Sequence, residues 1–274
     1  MKQTEIGRIR FFVIATFLLF LVLFMITGAA VFGGAPEIVQ IVMKNVCAWS
    51  STFVLVLFFK RFYPGRRFLD FLKAQFTPVT VSDFLVPLVV QLGLAAGAIA
   101  AVMAVSGESL NTVDVVSLSG LFPLLLINIT SGPTGEELGW RAYAQQELQK
   151  RLSVLTASLW VGLLWGLWHL PLWLVSGYTG LDLLLYSAFF LLGIVSFSVF
   201  LTFFYNKSGN ILVAVWIHFV FNIMLQIFDL DSLKIIVAVS VLYFIAASFI
   251  VAFNREEMTQ PIRSRRQEGA TPGR

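Results

Sequence analysis

Apolar residues run through this chain in eight long blocks separated by short polar stretches, covering roughly 11–32, 38–59, 84–105, 118–135, 155–177, 182–204, 209–228 and 233–253. A hydrocarbon core about 30 Å thick is crossed by an α-helix of roughly 20 apolar residues, so each block is long enough to be a span. Backbone polar groups in lipid must be satisfied within the segment, which predicts helices. The first block follows Lys2, Arg8 and Arg10 as a secretory signal would, but it is too long and no A-x-A-like site follows, so it reads as the first span. The expected architecture is an all-α polytopic membrane bundle of about eight transmembrane helices. Residues 1–254 form the membrane domain, and the polar stretch 255–274, rich in turn formers, is expected to be a disordered tail.

Polar residues between the blocks sort by charge. Lys2/Arg8/Arg10, Lys60/Arg61/Arg66/Arg67/Lys73, Lys150/Arg151, Lys207 and the basic tail fall on one side of an eight-span arrangement, while Glu37, Glu108, Asp114, Asp182, Asp229 and Asp231 fall on the other. Only Lys44 and Lys234 lie toward that second side. Basic residues near span ends stay cytoplasmic, so both termini are expected in the cytoplasm of a multi-pass protein of the cell membrane. "RFYPGRRFLDFLKAQF" (61–76) reads as an amphipathic stretch at the cytoplasmic interface, where basic residues meet anionic headgroups.

Composition agrees: 58% of the 274 residues are hydrophobic and 12% charged, where soluble domains carry about 25% charged. The net charge of +4 follows from the loop asymmetry, so the bilayer and not a nucleic acid is the expected partner. The single cysteine, Cys47, rules out an intrachain disulfide and lies in an apolar block as a poor nucleophile. No internal repeat, soluble domain, phosphate loop or CxxC is present.

Within this apolar background a few ionisable groups are embedded, each costing on the order of 2.5–3.5 kcal/mol at membrane depth and therefore marking function. Both histidines of the chain are among them, His169 in "LLWGLWHLPLW" and His218 in "AVWIHFVFNIM". Glu136, Glu137 and Arg141 stand together in "SGPTGEELGWRAYAQQ". On a helix Glu137 and Arg141 share a face as an i,i+4 ion pair, and Glu136 points about 100° away from it. Thr134 and Glu137 also match a capping box. His218 and Asn222, again four apart, face one neighbour. Pro171 removes a helix hydrogen bond close to His169.

A carboxylate and an imidazole that hold one water can deprotonate it for attack on a carbonyl, and a second imidazole with an amide can donate to the resulting oxyanion. The same set suits Zn2+ held by Glu136, His169 and His218 with an open water position. Residue types and spacing leave these two mechanisms open. HExxH and GxSxG are both absent.

Three motifs in order then resemble the CPBP intramembrane proteases, which comprise the type II CAAX prenyl endopeptidases and bacterial relatives, some linked to bacteriocin processing or immunity. EExxxR is similar to Glu136, Glu137 and Arg141; FxxxH is similar to Trp165 to His169; HxxxN is similar to His218 to Asn222. The resemblance covers about 118–228 and departs from the pattern at Trp165, where phenylalanine is usual. It implies an intramembrane endopeptidase in which Glu136 and His169 activate water, His218 and Asn222 form the oxyanion site, and Glu137 and Arg141 support them. Members of the family are commonly labelled metalloproteases, and a metal-independent glutamate mechanism has also been proposed. The implied partner is a peptide or membrane-protein substrate, with the site expected to open toward the cytoplasmic leaflet.

Two other classes use similar residues: a catalytically idle bacteriocin-immunity or scaffold protein, and a proton-coupled transporter. The transporter predicts inverted repeats and paired broken helices, and the sequence shows neither. Straight upright helices would hold Glu136, His169 and His218 at different depths. Tilt, the Pro171 kink or a break at 132–135 is therefore expected to bring them together.

Overall fold

The computed structural model describes residues 2–107 and 113–261; Glu108 and the expected disorder of the tail beyond 261 lie outside the described residues. All eight apolar blocks become helix. The principal elements are α1 (Lys2–Phe32), α2 (Glu37–Ala48), α3 (Ser50–Leu57), α4 (Val81–Ser106), α5 (Leu118–Thr130), α6 (Gly132–Glu137), α7 (Val154–Trp168), α8 (Gly180–Ser208), α9 (Ile211–Gln226) and α10 (Ser232–Phe253). After α6 the chain continues as a π-helical stretch, Leu138–Gln145. The protein is an all-α membrane bundle; an isolated bridge, Val115 with Phe228, is the one β-type pairing among the described residues.

Local chemistry sets several ends. Asp83 accepts from the backbone N–H of Thr80 at 2.7 Å to start α4, and Gly107 closes it in the left-handed region at φ 69°. The Asp231 carboxylate takes the first N–H groups of α10, and Asn210 caps α9. These side chains satisfy donors that a helix terminus leaves orphaned.

Fewer than the expected eight blocks form helices that pass for spans by length and composition alone. Among the described residues four helices are long and apolar enough to cross a membrane by themselves, at Ile6–Phe32, Val81–Ser106, Gly180–Ser208 and Ser232–Phe253. The pair α2 and α3, bent by 57° at Trp49, brings the number to five if the two are counted as one broken span. The block at 118–135 is interrupted at Ser131 (φ −91°, ψ −107°), the block at 155–177 breaks after His169, and α9 is only 16 residues long. Irregular backbone inside a bilayer is tolerated where neighbouring protein covers it. Here the Trp49 indole N–H donates to the Thr130 carbonyl at 2.7 Å, giving one exposed helix end its partner.

The core centres on α8, which packs against α7 and α10. Phe197 stacks on Phe221 at 4.2 Å and meets Tyr243 edge-on at 5.5 Å. On the side expected to be cytoplasmic, Tyr205 donates to Gln75 Oε1 at 3.1 Å and the Ile211 N–H to the Gln75 carbonyl, tying the loop before α4 to the turn between α8 and α9. Within 61–76, Phe68–Lys73 forms a short helix anchored by buried Phe71. The tail begins with an ordered helix, Arg255–Thr259. Its Met258 is buried against Val154, Val199 and Phe203, and this apolar contact holds the start of an otherwise polar segment in place.

Close approach of the π-helical stretch after α6 to α3 depends on Gly139. A Cβ built there would stand 2.6 Å from the Ser51 side chain and 2.8 Å from its backbone carbon. Small residues let helix backbones meet in this way. Gly139→Ala is expected to cost about 1–3 kcal/mol through overpacking, read as a lowered thermal midpoint in detergent.

Candidate active site

Glu136, His169, His218 and Asn222 line one cavity of about 390 Å³ enclosed mainly by α5, α6, α7, α8, α9 and α10. The two interruptions are what bring them together. The break at Ser131 lets α6 turn its carboxylate inward, and His169 stands where α7 ends (φ −80°, ψ −3°). Glu136 and His218 are both 5% exposed, whereas His169 and Asn222 are half-buried.

The two adjacent acids take different partners. Glu136 Oε2 accepts from the Trp165 indole N–H at 2.5 Å. Glu137 is fully buried and holds two groups at once: Arg141 Nε lies 3.3 Å from Oε2, and His218 Nδ1 lies 2.7 Å from Oε1. The Arg141 guanidinium also sits 4.6 Å from the centre of the Trp165 ring. Glu137 is thus more than half of a local ion pair, because it also fixes an imidazole on another helix. The capping box expected of Thr134 and Glu137 is not formed. The helix begins three residues earlier, at Gly132, the Thr134 hydroxyl donates to the Ile129 carbonyl at 2.6 Å, and the Glu137 carboxylate is committed to His218 and Arg141.

These contacts define the tautomers. An ionised carboxylate paired with Arg141 only accepts, so His218 Nδ1 carries a hydrogen and, in the neutral ring, Nε2 is a lone-pair acceptor. His169 Nδ1 lies 2.8 Å from the Trp165 carbonyl, again an acceptor, and the same conclusion holds. Asn222 brings a carboxamide that can donate through Nδ2 in either state. The aromatic enclosure is close. Trp165 and His218 meet edge-on at 5.2 Å, and Trp168 and His169 at 4.7 Å.

Imidazoles with Nδ1–H engaged and Nε2 free beside a carboxylate are donors of the kind zinc uses. The expected Zn2+ set of Glu136, His169 and His218 nevertheless does not fit as arranged. Among the described residues no group of three His, Cys, Asp or Glu side chains is disposed to hold a metal ion.

Two participants were not singled out from the sequence as contacts of Glu136. In the sequence Trp165 stands out only as a departure from the usual phenylalanine, yet its N–H reaches the carboxylate; the signal was available, since a buried indole N–H seeks an acceptor. Gly132, which also lines the cavity, carried no signal beyond its place beside a helix break.

Residues 118–224 match the family model described as Rce1-like, type II CAAX prenyl endopeptidase, a segment that contains all seven motif residues. Over 140 residues the chain is 31% identical to the CAAX prenyl protease 2 of Methanococcus maripaludis, covering 49% of this chain and 52% of that protein. The chain therefore spans about half the length of the curated relative it matches.

Proposed function

We propose, on the premise that residues 118–224 belong to the type II CAAX prenyl endopeptidase family, that this chain is an intramembrane endopeptidase cleaving a membrane-attached peptide or protein. The observation that carries the reading is the single cavity shared by Glu136, His169, His218 and Asn222. Glu136 takes a proton from water as its oxygen bonds to the scissile carbonyl carbon, and the carbonyl electron pair moves onto oxygen. Asn222 donates to that oxyanion. On collapse the C–N bond breaks, Glu136 returns the proton to the leaving nitrogen, and an acid and an amine result. A neutral imidazole offers Nε2 as an acceptor, so the oxyanion role expected of His218 belongs to its protonated form alone.

The relative's name specifies a prenylated substrate for that protein. For this chain prenylated and unmodified membrane-anchored peptides are to be compared. Purified protein in lipid vesicles is expected to cleave members of such a library, read by mass spectrometry. Glu136→Gln is expected to abolish cleavage, and exhaustive chelation to leave it intact. Absence of cleavage by the wild type across the library, or equal cleavage by Glu136→Gln, would overturn the reading.

Trp165 supplies a further prediction. Trp165→Phe keeps a ring against His218 but removes a hydrogen bond to a charged group, worth about 1.5–3 kcal/mol. Turnover is expected to fall by about tenfold to a hundredfold with KM little changed, as steady-state kinetics will show.

A further inference from the structure

We propose that the groove between α1 and α7 binds one anionic phospholipid, with its phosphate at Arg10 and Arg151 and an acyl chain along the apolar walls. The two helices meet at one end, where the Phe20 and Trp168 rings stand 4.3 Å apart. Toward their N-terminal ends they part, and a groove of about 600 Å³ opens between residues 6–14 and 147–164. It is separate from the cavity of Glu136 and His169, since no residue lines both.

The groove has an apolar end and a charged end, as a lipid has. Val13, Ile14, Trp160 and Leu164 wall the part nearer the Phe20–Trp168 contact. Ile14 is 59% and Trp160 50% exposed, so no other described part of the chain covers this surface. Arg10, near the start of α1, and Arg151, just before α7, stand at the other end, and both are exposed. Among the described residues no ion pair or side-chain hydrogen bond engages Arg10. An arginine stem lies along apolar surface while its guanidinium reaches headgroup level.

Charge selects the headgroup. Glu147, the one acid in the groove wall, is already engaged, accepting from the Tyr63 hydroxyl at 2.8 Å and from the Lys150 ammonium. The two arginines then set a positive sign at the mouth. A guanidinium offers a phosphate two parallel N–H donors, which gives it geometry as well as charge. Phosphatidylglycerol brings a net negative charge to that point, whereas phosphatidylcholine adds a quaternary ammonium that the same arginines repel. Free phosphate has no chain to fill the apolar walls, so the groove fits a lipid.

The test measures lipid binding and no cleavage, so it stands apart from the peptidase reading. Purified protein in neutral detergent is titrated with phosphatidylglycerol and with phosphatidylcholine of identical acyl chains, and bound lipids are counted by native mass spectrometry. One phosphatidylglycerol is expected to bind at least about tenfold more tightly than phosphatidylcholine. Arg10→Gln is expected to weaken it about fivefold, and Arg10→Gln with Arg151→Gln about twenty-five-fold, the scale of one and two basic residues at an anionic surface. Phosphatidylcholine binding should not fall in either variant. Ile14→Trp, which fills the apolar end, should weaken both lipids. Equal affinity of the wild type for the two lipids would overturn the proposal, as would wild-type affinity in Ile14→Trp. A preference for phosphatidylglycerol that survives in the double variant would place the lipid on the basic stretch 60–73 instead, and displacement of phosphatidylglycerol by a prenylated peptide would give the groove to a substrate; either result overturns it. Both arginines are exposed, so the lipid-free thermal midpoint is expected to stay at the wild-type value, and should the double variant fail to fold, Arg10→Gln alone decides.

Discussion

Glu136→Gln is expected to lower kcat by about 10²- to 10⁴-fold while the protein stays folded, because general-base catalysis contributes on that scale. Gln keeps the side-chain length and an oxygen for the Trp165 N–H that now reaches Oε2 at 2.5 Å. It cannot take a proton from water. Glu136 is one of the 5%-exposed groups on the cavity wall, and Arg141 is paired with Glu137, so loss of the Glu136 charge leaves no ion pair broken. The thermal midpoint should therefore remain close to that of the wild type. A midpoint that collapses together with activity would mean that the carboxylate is structural, and cleavage at more than a tenth of the wild-type rate would remove it from the chemistry.

The second large effect is one of stability. Glu137→Ala is expected to cost about 3–5 kcal/mol, since removing one partner of a buried pair strands the other charge. Arg141 and Glu137 are both fully buried, and Glu137 also anchors His218 at 2.7 Å. Replacing both members by apolar residues of similar volume, Glu137→Leu with Arg141→Met, is expected to recover most of that loss, because burying the pair was itself costly. Turnover should not recover, as the imidazole of His218 no longer has the acceptor that holds its hydrogen on Nδ1. Denaturant unfolding of Glu137→Leu, Arg141→Met and the double variant, combined as a cycle, measures the coupling. Equal stability of Glu137→Ala and wild type would show that Arg141 finds another partner, and a fully active double variant would show that His218 needs no anchor.

Much of this was legible along the chain. The length of each apolar block sufficed to place a helix over it, because lipid leaves a backbone no other way to satisfy its polar groups. The 100° step between Glu136 and Glu137 sufficed to send them to different surroundings, and they do take different partners. Rarity of ionisable groups in the blocks pointed to Glu136, Glu137, Arg141, His169 and His218 before any contact was known. Where the helices stop was less legible. A break at 132–135 or a kink at Pro171 was expected, and the interruptions fall beside them, at Ser131 and His169, but Thr134 followed by Glu137 imitates a cap that the fold does not use.

Periodicity and composition report what one segment needs for itself, namely a buried face and a satisfied backbone, and these the order of residues settled. Which atoms meet is a matter between segments. The Trp165 indole on Glu136 and the grip of Glu137 on His218 both join residues from separate helices. Their distances depend on where each helix is interrupted and on how closely small residues let backbones approach, and packing of the whole bundle sets both.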